Sequence, residues 1–382
     1  MKCVLADIAD VTMGQSPKSE YYNSEKNGMP FLQGNRTFGK KYPTFDTYTT
    51  FITKTAKSGD IIMSVRAPVG DVNITPIDMC LGRGVCGIRM KNENQEFLFY
   101  LLKYYMPRLV NKQSGTVFGS VNKNDINSLE IDIPEDSTIQ RKIARYLSMI
   151  DEKIELNEKI NKNLEQQAEA IFQSVLSNAI TTVNLDEIAD VKGGKRLPKG
   201  VNLIDKPNAH PYIRVRDLNN ALFASLNPDY AYVDEETQKS ISRYIVSTGD
   251  VLISIVGTIG LTAIVDSTLD KANLTENCVK ITNLKHITPE YLLLYLRSQL
   301  GKEAIAKGTV GAVQQKLPIK NIQAIPIPLL SEKDKNALFC TLDSIFSGIS
   351  NNVIQSTKLA SLRDTLLPKL MSGELDVADI NL

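Results

Sequence analysis

The sequence predicts an α+β protein in which two repeated β-rich domains are separated by an antiparallel pair of long helices, a coiled coil, about a pseudo-twofold axis. Three observations carry this expectation. The phrase "SGDIIMSVRAPVG" at 58–70 returns as "TGDVLISIVGTIG" at 248–260. Other phrases return in the same order in each half of the chain. Finally, segments 137–176 and 331–371 carry apolar heptad seams whose positions match at an offset of 195 residues.

The repeat runs through the chain. "LADIADV" (5–11) returns as "LDEIADV" (185–191), "EFLFYLLKYY" (96–105) as "EYLLLYLRSQ" (290–299), and "NSLEIDIP" (127–134) as "NIQAIPIP" (321–328). So long a period with only two copies describes two folding units, not a solenoid. The expected boundaries are 1–135 for the first domain, 136–179 for the first helix, 180–329 for the second domain, 330–375 for the second helix and 376–382 for a tail. Within each domain, short runs rich in Ile, Val, Thr and Tyr, broken by Gly and Pro, predict strands. One short helix follows; in "TPEYLLLYLRSQL" Thr288 can cap it and Pro289 fits its first turn. A Gly-led loop (114–125 and 307–316) and a strand ending in Pro close each unit. The Gly59-Asp60 and Gly249-Asp250 pairs read as scaffold, because each feeds a buried strand.

The first helical seam comprises Ile143, Leu147, Ile150, Ile154, Leu164, Ala168, Ile171 and Val175. The second comprises Leu338, Leu342, Ile345, Ile349, Leu359, Leu366 and Leu370. Alternating steps of four and three residues are the mark of a coiled-coil face. Asn157 and Asn352 interrupt the seams at equivalent places, and a buried polar layer there would fix register at a cost in stability. One helix enters the second domain and the other leaves it, so helices that pack on each other must run antiparallel. About forty residues at 1.5 Å each make a rod of roughly 60 Å. The expected form is a spacer with one related domain at either end.

Composition excludes several classes. The N-terminus has no apolar leader, and the longest apolar stretch (251–265) contains Gly and Thr and is too short for a bilayer span. It reads as buried strands around a turn. Five cysteines, mostly isolated, predict no disulfide framework, and "CLGRGVC" lacks the second ligand pair of a zinc site; a reduced, cytoplasmic protein without metal is expected. The net charge is only +1, yet residues 30–124 hold thirteen Lys/Arg against six Asp/Glu. A phosphate backbone responds to such a local excess.

At this point the chain resembles the specificity subunit of type I restriction–modification systems. The residues that carry the likeness are the two-unit repeat, the "GD(I/V)(I/L)" strand before a Gly turn, "LSMID" (147–151) opening the first helix beside "CTLDSI" (340–345), and the ending "LLPKLMSGEL" (366–375). The resemblance implies two target-recognition domains, each reading half of a bipartite site in double-stranded DNA, with the helices as ruler and as dock for modification subunits, commonly two. Those partners would bind S-adenosylmethionine and methylate adenine, while restriction subunits in the same complex would cleave DNA using ATP. The chain itself would hold no cofactor and no catalytic residue.

The residues agree with a binding role. His210 and His286 sit among turn-forming residues and make poor candidates for bases. "NPDY" (227–230) lacks the second Pro of the base-flipping loop of amino-methyltransferases and reads as a turn, while "GGKR" (193–196) lacks the spacing of a phosphate loop. "DEET" (234–237) has no partner for a nuclease metal. For DNA, Arg and Lys suit guanine or phosphate, and Asn and Gln suit adenine edges. The candidates are Gln33, Asn35, Arg36, Lys40, Lys41, Arg66, Asn122 and Lys123 in the first domain. In the second they are Lys195, Arg196, Lys199, Arg214, Arg216, Gln314, Gln315 and Lys316, with Arg214 and Arg216 expected on one face of a strand. The competing expectation is a coiled-coil protein-interaction scaffold without DNA specificity.

Overall fold

The structure, a computed structural model, describes residues 1–111, 120–219, 221–312 and 314–377. Residues 114–119 of the first Gly-led loop, Val313 of the second and residues 378–382 of the expected tail lie outside the described residues. Two compact units are present: Met1–Leu156 with Gln355–Leu382, and Asn157–Ile354. The division falls inside the two long helices, so each unit owns a part of both.

In the first unit a four-stranded antiparallel sheet has the order Ala9–Met13, Val85–Met90, Ile61–Ser64, Val72–Ile74. In the second unit the order Asp190–Gly193, Cys278–Thr282, Val251–Ser254, Thr262–Val265 repeats it, and Phe223–Ala224 is added along the edge. A two-stranded ribbon accompanies each sheet, Lys2–Val4 with Glu130–Asp132 and Thr181–Asn184 with Pro326–Leu329. The apolar stretch 251–265 is thus two buried strands around a turn.

The repeated phrase is repeated in its hydrogen bonds. Ser64 Oγ donates to the Pro68 carbonyl and accepts from Asp71 N; Ser254 Oγ donates to the Thr258 carbonyl and accepts from Leu261 N. Gly59 and Gly249 adopt φ of +87° and +86°, where a side chain would be strained. The following Asp60 and Asp250 are buried, and their carboxylates accept from Lys57 N and Ser247 N. These pairs are scaffold in both units.

A helix caps each sheet. Gln95–Asn111 buries Phe97 through Leu102 against Ile61, Met63 and Ile88. Pro289–Arg297, capped by Thr288 with Pro at its start, buries Tyr291 through Leu296 against Val251, Ile253 and Ile281. The sequence predicts one short helix here; a second, Gln299–Gly308, follows it. Ser298 breaks the path: its hydroxyl donates to the Tyr295 carbonyl and accepts from Gly301 N, ending one helix and starting the next. The "LADI" and "LDEI" segments of the repeat are single helical turns, Leu5–Ile8 and Leu185–Ile188.

The long helices are Ser137–Leu176 and Glu332–Ser372. "LSMID" therefore lies well inside the first helix and does not open it. Within the second unit, Asn161 Oδ1 accepts from Asn352 Nδ2 at 2.8 Å, and Leu164 lies against Gly348. Residue numbers rise on one helix as they fall on the other, so the segments run antiparallel. Within the first unit the same sense holds, with Ile143 and Leu147 in one cluster with Leu370 and Met371, and Asp151 bonded to Arg363. Asn157 is fully buried, and its Nδ2 donates to the Asn352 carbonyl at 3.4 Å. The seam drifts in both helices: Phe172, Leu176 and Phe346 are buried, whereas Ile171, Val175 and Ile345 are half-buried. A helix of 3.6 residues per turn drifts past a 3.5-residue repeat, and here the β-rich part of the unit takes up the neighbouring face.

Candidate nucleic-acid interface

In the first unit four segments converge beside the sheet: the loop from Gly14, the loop from Gln33, the turn 65–71 and the connection Gly82-Arg83-Gly84. Gly14 N donates to the Val85 carbonyl, Gln15 N to Leu81, Gly82 N to Leu32, Gly84 N to Gln33 and Val65 N to Gly84, all at 2.8–3.0 Å. Val121 N donates to Val65, and Arg66 forms a bridge with Ser120. A Cβ on Gly14 would stand 2.1 Å from the Gly82 carbonyl oxygen, so only glycine permits this approach.

The second unit repeats the arrangement. Gly194 N donates to Cys278, Lys195 N to Leu274, Thr275 N to Ile213, Ile255 N to Asn277 and Leu317 N to Ile255. Val256 forms a bridge with Lys316. The bonds therefore superpose Ser16 on Arg196, Gln33 on Arg214, Arg66 on Val256, Arg83 on Glu276 and Ser120 on Lys316. The frame is common to both units; the side chains it presents all differ.

Several candidates occupy this frame. Gln33, Arg66, Asn122 and Lys123 are exposed in the first unit; Lys195, Arg196, Lys199, Arg216, Gln314, Gln315 and Lys316 are exposed in the second. Asn35 is half-buried, its Nδ2 donating to Asp71 Oδ2 at 2.6 Å. Arg36 is exposed but donates twice to Asp46, at 2.8 and 2.7 Å, and that bond holds the Asp46 carboxyl below its usual range. Lys195 lies 5.5 Å from the centre of the Tyr244 ring. Arg196 donates to Glu276 at 2.8 Å. Burial alone would raise the Glu276 carboxyl, but the Arg196 bond and neighbouring hydrogen bonds bring it below its ordinary value.

Three residues depart from expectation. Arg214 and Arg216 share no strand face, because the strand ends at Ile213 and Val215–Leu218 is a helical turn. Arg214 precedes that turn with its guanidinium donating to Asp217 at 2.8 and 3.0 Å and to the Asp229 carbonyl at 2.9 Å. Its fork is spent on holding two loops together, while Arg216 stays 68% exposed. Lys41, unlike its exposed neighbour Lys40, is 5% exposed with Nζ 3.6 Å from Glu96, so it braces the domain interior instead of reaching outward. Asn122 has a second task, since its Oδ1 caps the helix Lys123–Asn127 by accepting from Asn124 N and Asp125 N.

Sequence reasoning missed Arg83. It is exposed between two glycines in "GRG", a signal masked because "CLGRGVC" reads first as a metal motif. Among the described residues no cluster of His, Cys, Asp or Glu could hold a metal ion. Cys86 and Cys278 are buried, which pushes both thiols up to about 12.

The model of the type I restriction modification DNA specificity domain matches this sequence twice, over residues 1–166 and 179–356. The chain belongs to that family. Among relatives in the type I specificity family, the MjaX specificity subunit of Methanocaldococcus jannaschii is 41% identical over an alignment covering 44% of this chain and 40% of that protein. The MjaIX specificity subunit of the same organism is 24% identical across 98% of this chain and 93% of its own length. The crystal structure of the type I restriction-modification S subunit from M. genitalium shares the fold, with a TM-score of 0.61 at 17% identity over 97% of this chain and 96% of that one. The two matched segments of the family model correspond to the two copies of the frame.

Proposed function

We propose that this chain is the DNA sequence-recognition subunit of a type I restriction–modification complex, each β-rich unit reading one half of a bipartite site. The long helices act as spacer and dock the modification subunits, through which restriction subunits join. The chain is non-catalytic and works in the cytoplasm; methylation and cleavage come from the partners. Among the described residues no helix is long and apolar enough to cross a membrane. One observation carries the reading: a hydrogen-bonded frame built twice, with different side chains at each equivalent outward position. A protein that reads two unlike DNA segments needs that combination, since direct readout lies in side chains and the scaffold does not contribute to it.

Exchanging residues 180–328 for the corresponding unit of another family member should change one half of the methylated site and leave the other intact. Methylome sequencing of cells carrying the chimera with its partners is the measurement. Changes in both halves would overturn the assignment of one unit to one half-site. The purified chain, incubated with DNA and S-adenosylmethionine, should leave the DNA unmethylated by mass spectrometry.

A further inference from the structure

We propose that Gln33 is a specificity-determining residue whose amide acts as a donor alone, so that the first unit reads a guanine where Gln33 meets the major groove. The inference rests on the DNA-recognition reading and deepens it. It begins with the proton of Ser16. Arg83 N donates to Ser16 Oγ at 3.0 Å, and Ser16 Oγ lies 2.9 Å from Gln33 Oε1. A hydroxyl has one proton to give, and here Ser16 gives it to Gln33 Oε1. Tyr22 closes a second side: its hydroxyl donates to the Pro17 carbonyl at 2.8 Å and stands 3.5 Å from the same Oε1. Gly82 lies beside the same oxygen, and a side chain there would crowd it, with a Cβ only 3.0 Å from Oε1. The oxygen faces the loop cluster, and the exposed Gln33 side chain is left with its two Nε2 protons.

A glutamine that reads adenine accepts from N6 with its oxygen while its nitrogen donates to N7. Here the oxygen is engaged, so that pairing is lost. Two donors match the two adjacent acceptors of guanine, O6 and N7; thymine offers one acceptor, O4, and cytosine offers a donor. Exposed Arg83, two bonds along the same network, adds a guanidinium with the same preference for acceptors. The second unit has no counterpart to this device. Its equivalent positions carry Arg214, held by Asp217 and the Asp229 carbonyl, and an Arg196–Glu276 pair.

The test is methylome sequencing with the chain and its modification subunits, comparing wild type, Gln33→Glu and Ser16→Ala. The wild-type half-site read by the first unit should contain a guanine whose replacement lowers methylation roughly 5- to 150-fold. Gln33→Glu, of the same shape but acceptor-only, should move that single position to cytosine. Ser16→Ala keeps Gln33 but frees its oxygen, and should let adenine compete with guanine there. The second half-site should be unchanged in both variants, which also reports that the chain is folded. Normal recognition at every position in both variants would overturn the proposal while leaving the DNA-recognition reading intact. Methylation without any bipartite site in wild type would overturn that reading and this proposal with it.

Discussion

Replacing Arg363 with alanine is expected to destabilise the first unit by about 3–5 kcal/mol, toward the lower end because the arginine retains some solvent. Arg363 Nη1 donates to Asp151 Oδ1 at 2.7 Å, and the hydroxyl of Tyr100 donates to Asp151 Oδ2 at 2.6 Å. The side chains of Asp151 and Arg363 are 9% and 22% exposed, and Tyr100 is fully buried. Burial, reinforced by the Asp151 charge, raises the Tyr100 hydroxyl far above its ordinary value, so it remains a neutral donor at any working pH. Burial also lowers nearby Lys103. Without Arg363, the Asp151 carboxylate would remain inside with a single neutral donor, and removing one partner of a buried pair costs far more than replacing both.

The repeat supplies its own control for that experiment. By the offsets that relate the two halves, Tyr100 corresponds to Leu294, Asp151 to Phe346 and Arg363 to Ala168. All three counterparts are buried at 3% exposure or less, and the Phe346 ring lies edge-on to Phe223. One half of the chain thus solves the junction between capping helix and long helices with charge, and the other solves it with apolar packing. Importing the apolar set as Tyr100→Leu, Asp151→Phe and Arg363→Ala should recover most of the stability lost by Arg363→Ala alone. Two-unit chains need not unfold in one step, so the measurement is hydrogen exchange resolved by segment during urea denaturation. Protection of residues 96–106 should fall in the single variant and return in the triple, with 289–297 unaffected in both. A single variant indistinguishable from wild type, or a triple no better than the single, would refute the argument.

The frame of this protein is legible in the sequence because it is duplicated. Gly59-Asp60 and Gly249-Asp250 can be assigned to scaffold from the repeat alone, since two unlike recognition surfaces share only what they do not read. The seam residues are legible for a different reason: an apolar period of 3.5 sustained over forty residues matches a packed helix face and fits neither a strand nor a loop. The site is less legible. Whether an exposed-looking cation can reach a base depends on its partners, and those lie at irregular separations: Asp46 for Arg36, Asp217 and the Asp229 carbonyl for Arg214, Glu276 for Arg196, Glu96 for Lys41. No local pattern announces such pairings. The orientation of the Gln33 amide is further still from the sequence, because it depends on Ser16, Tyr22 and the peptide nitrogen of Arg83 together. Loop ends fail for a simpler cause. "YIRVRDL" alternates as a strand should, but Asp217 accepts from Arg214 N and starts a helical turn one residue after the sheet ends.

Replacing Asn157 and Asn352 together with leucine is expected to act in the opposite direction from the loss of Arg363, raising stability by about 1–3 kcal/mol, the cost of burying a neutral polar group without good hydrogen bonds. Asn157 is fully buried between the two helices, and the hydrogen bond it donates to the Asn352 carbonyl is long at 3.4 Å. The shorter bond, from Asn352 Nδ2 to Asn161 Oδ1 at 2.8 Å, involves a half-buried residue whose oxygen water can satisfy once Asn352 is gone. Two leucines gain apolar contact along the seam in exchange. What the asparagines supply is register. An apolar seam tolerates a shift by one heptad with similar burial, whereas a shift that separates Asn352 from Asn157 and Asn161 strands polar groups in the seam. A subunit whose helices set the gap in a bipartite site has reason to keep that penalty. The double leucine variant should melt higher than wild type, while the complex carrying it should methylate sites whose gap differs by about three base pairs, the roughly 10 Å of one heptad, alongside the original ones. A lower melting temperature would remove the polar layer from the account of stability, and a higher one with an unchanged, single gap would remove it from the account of register.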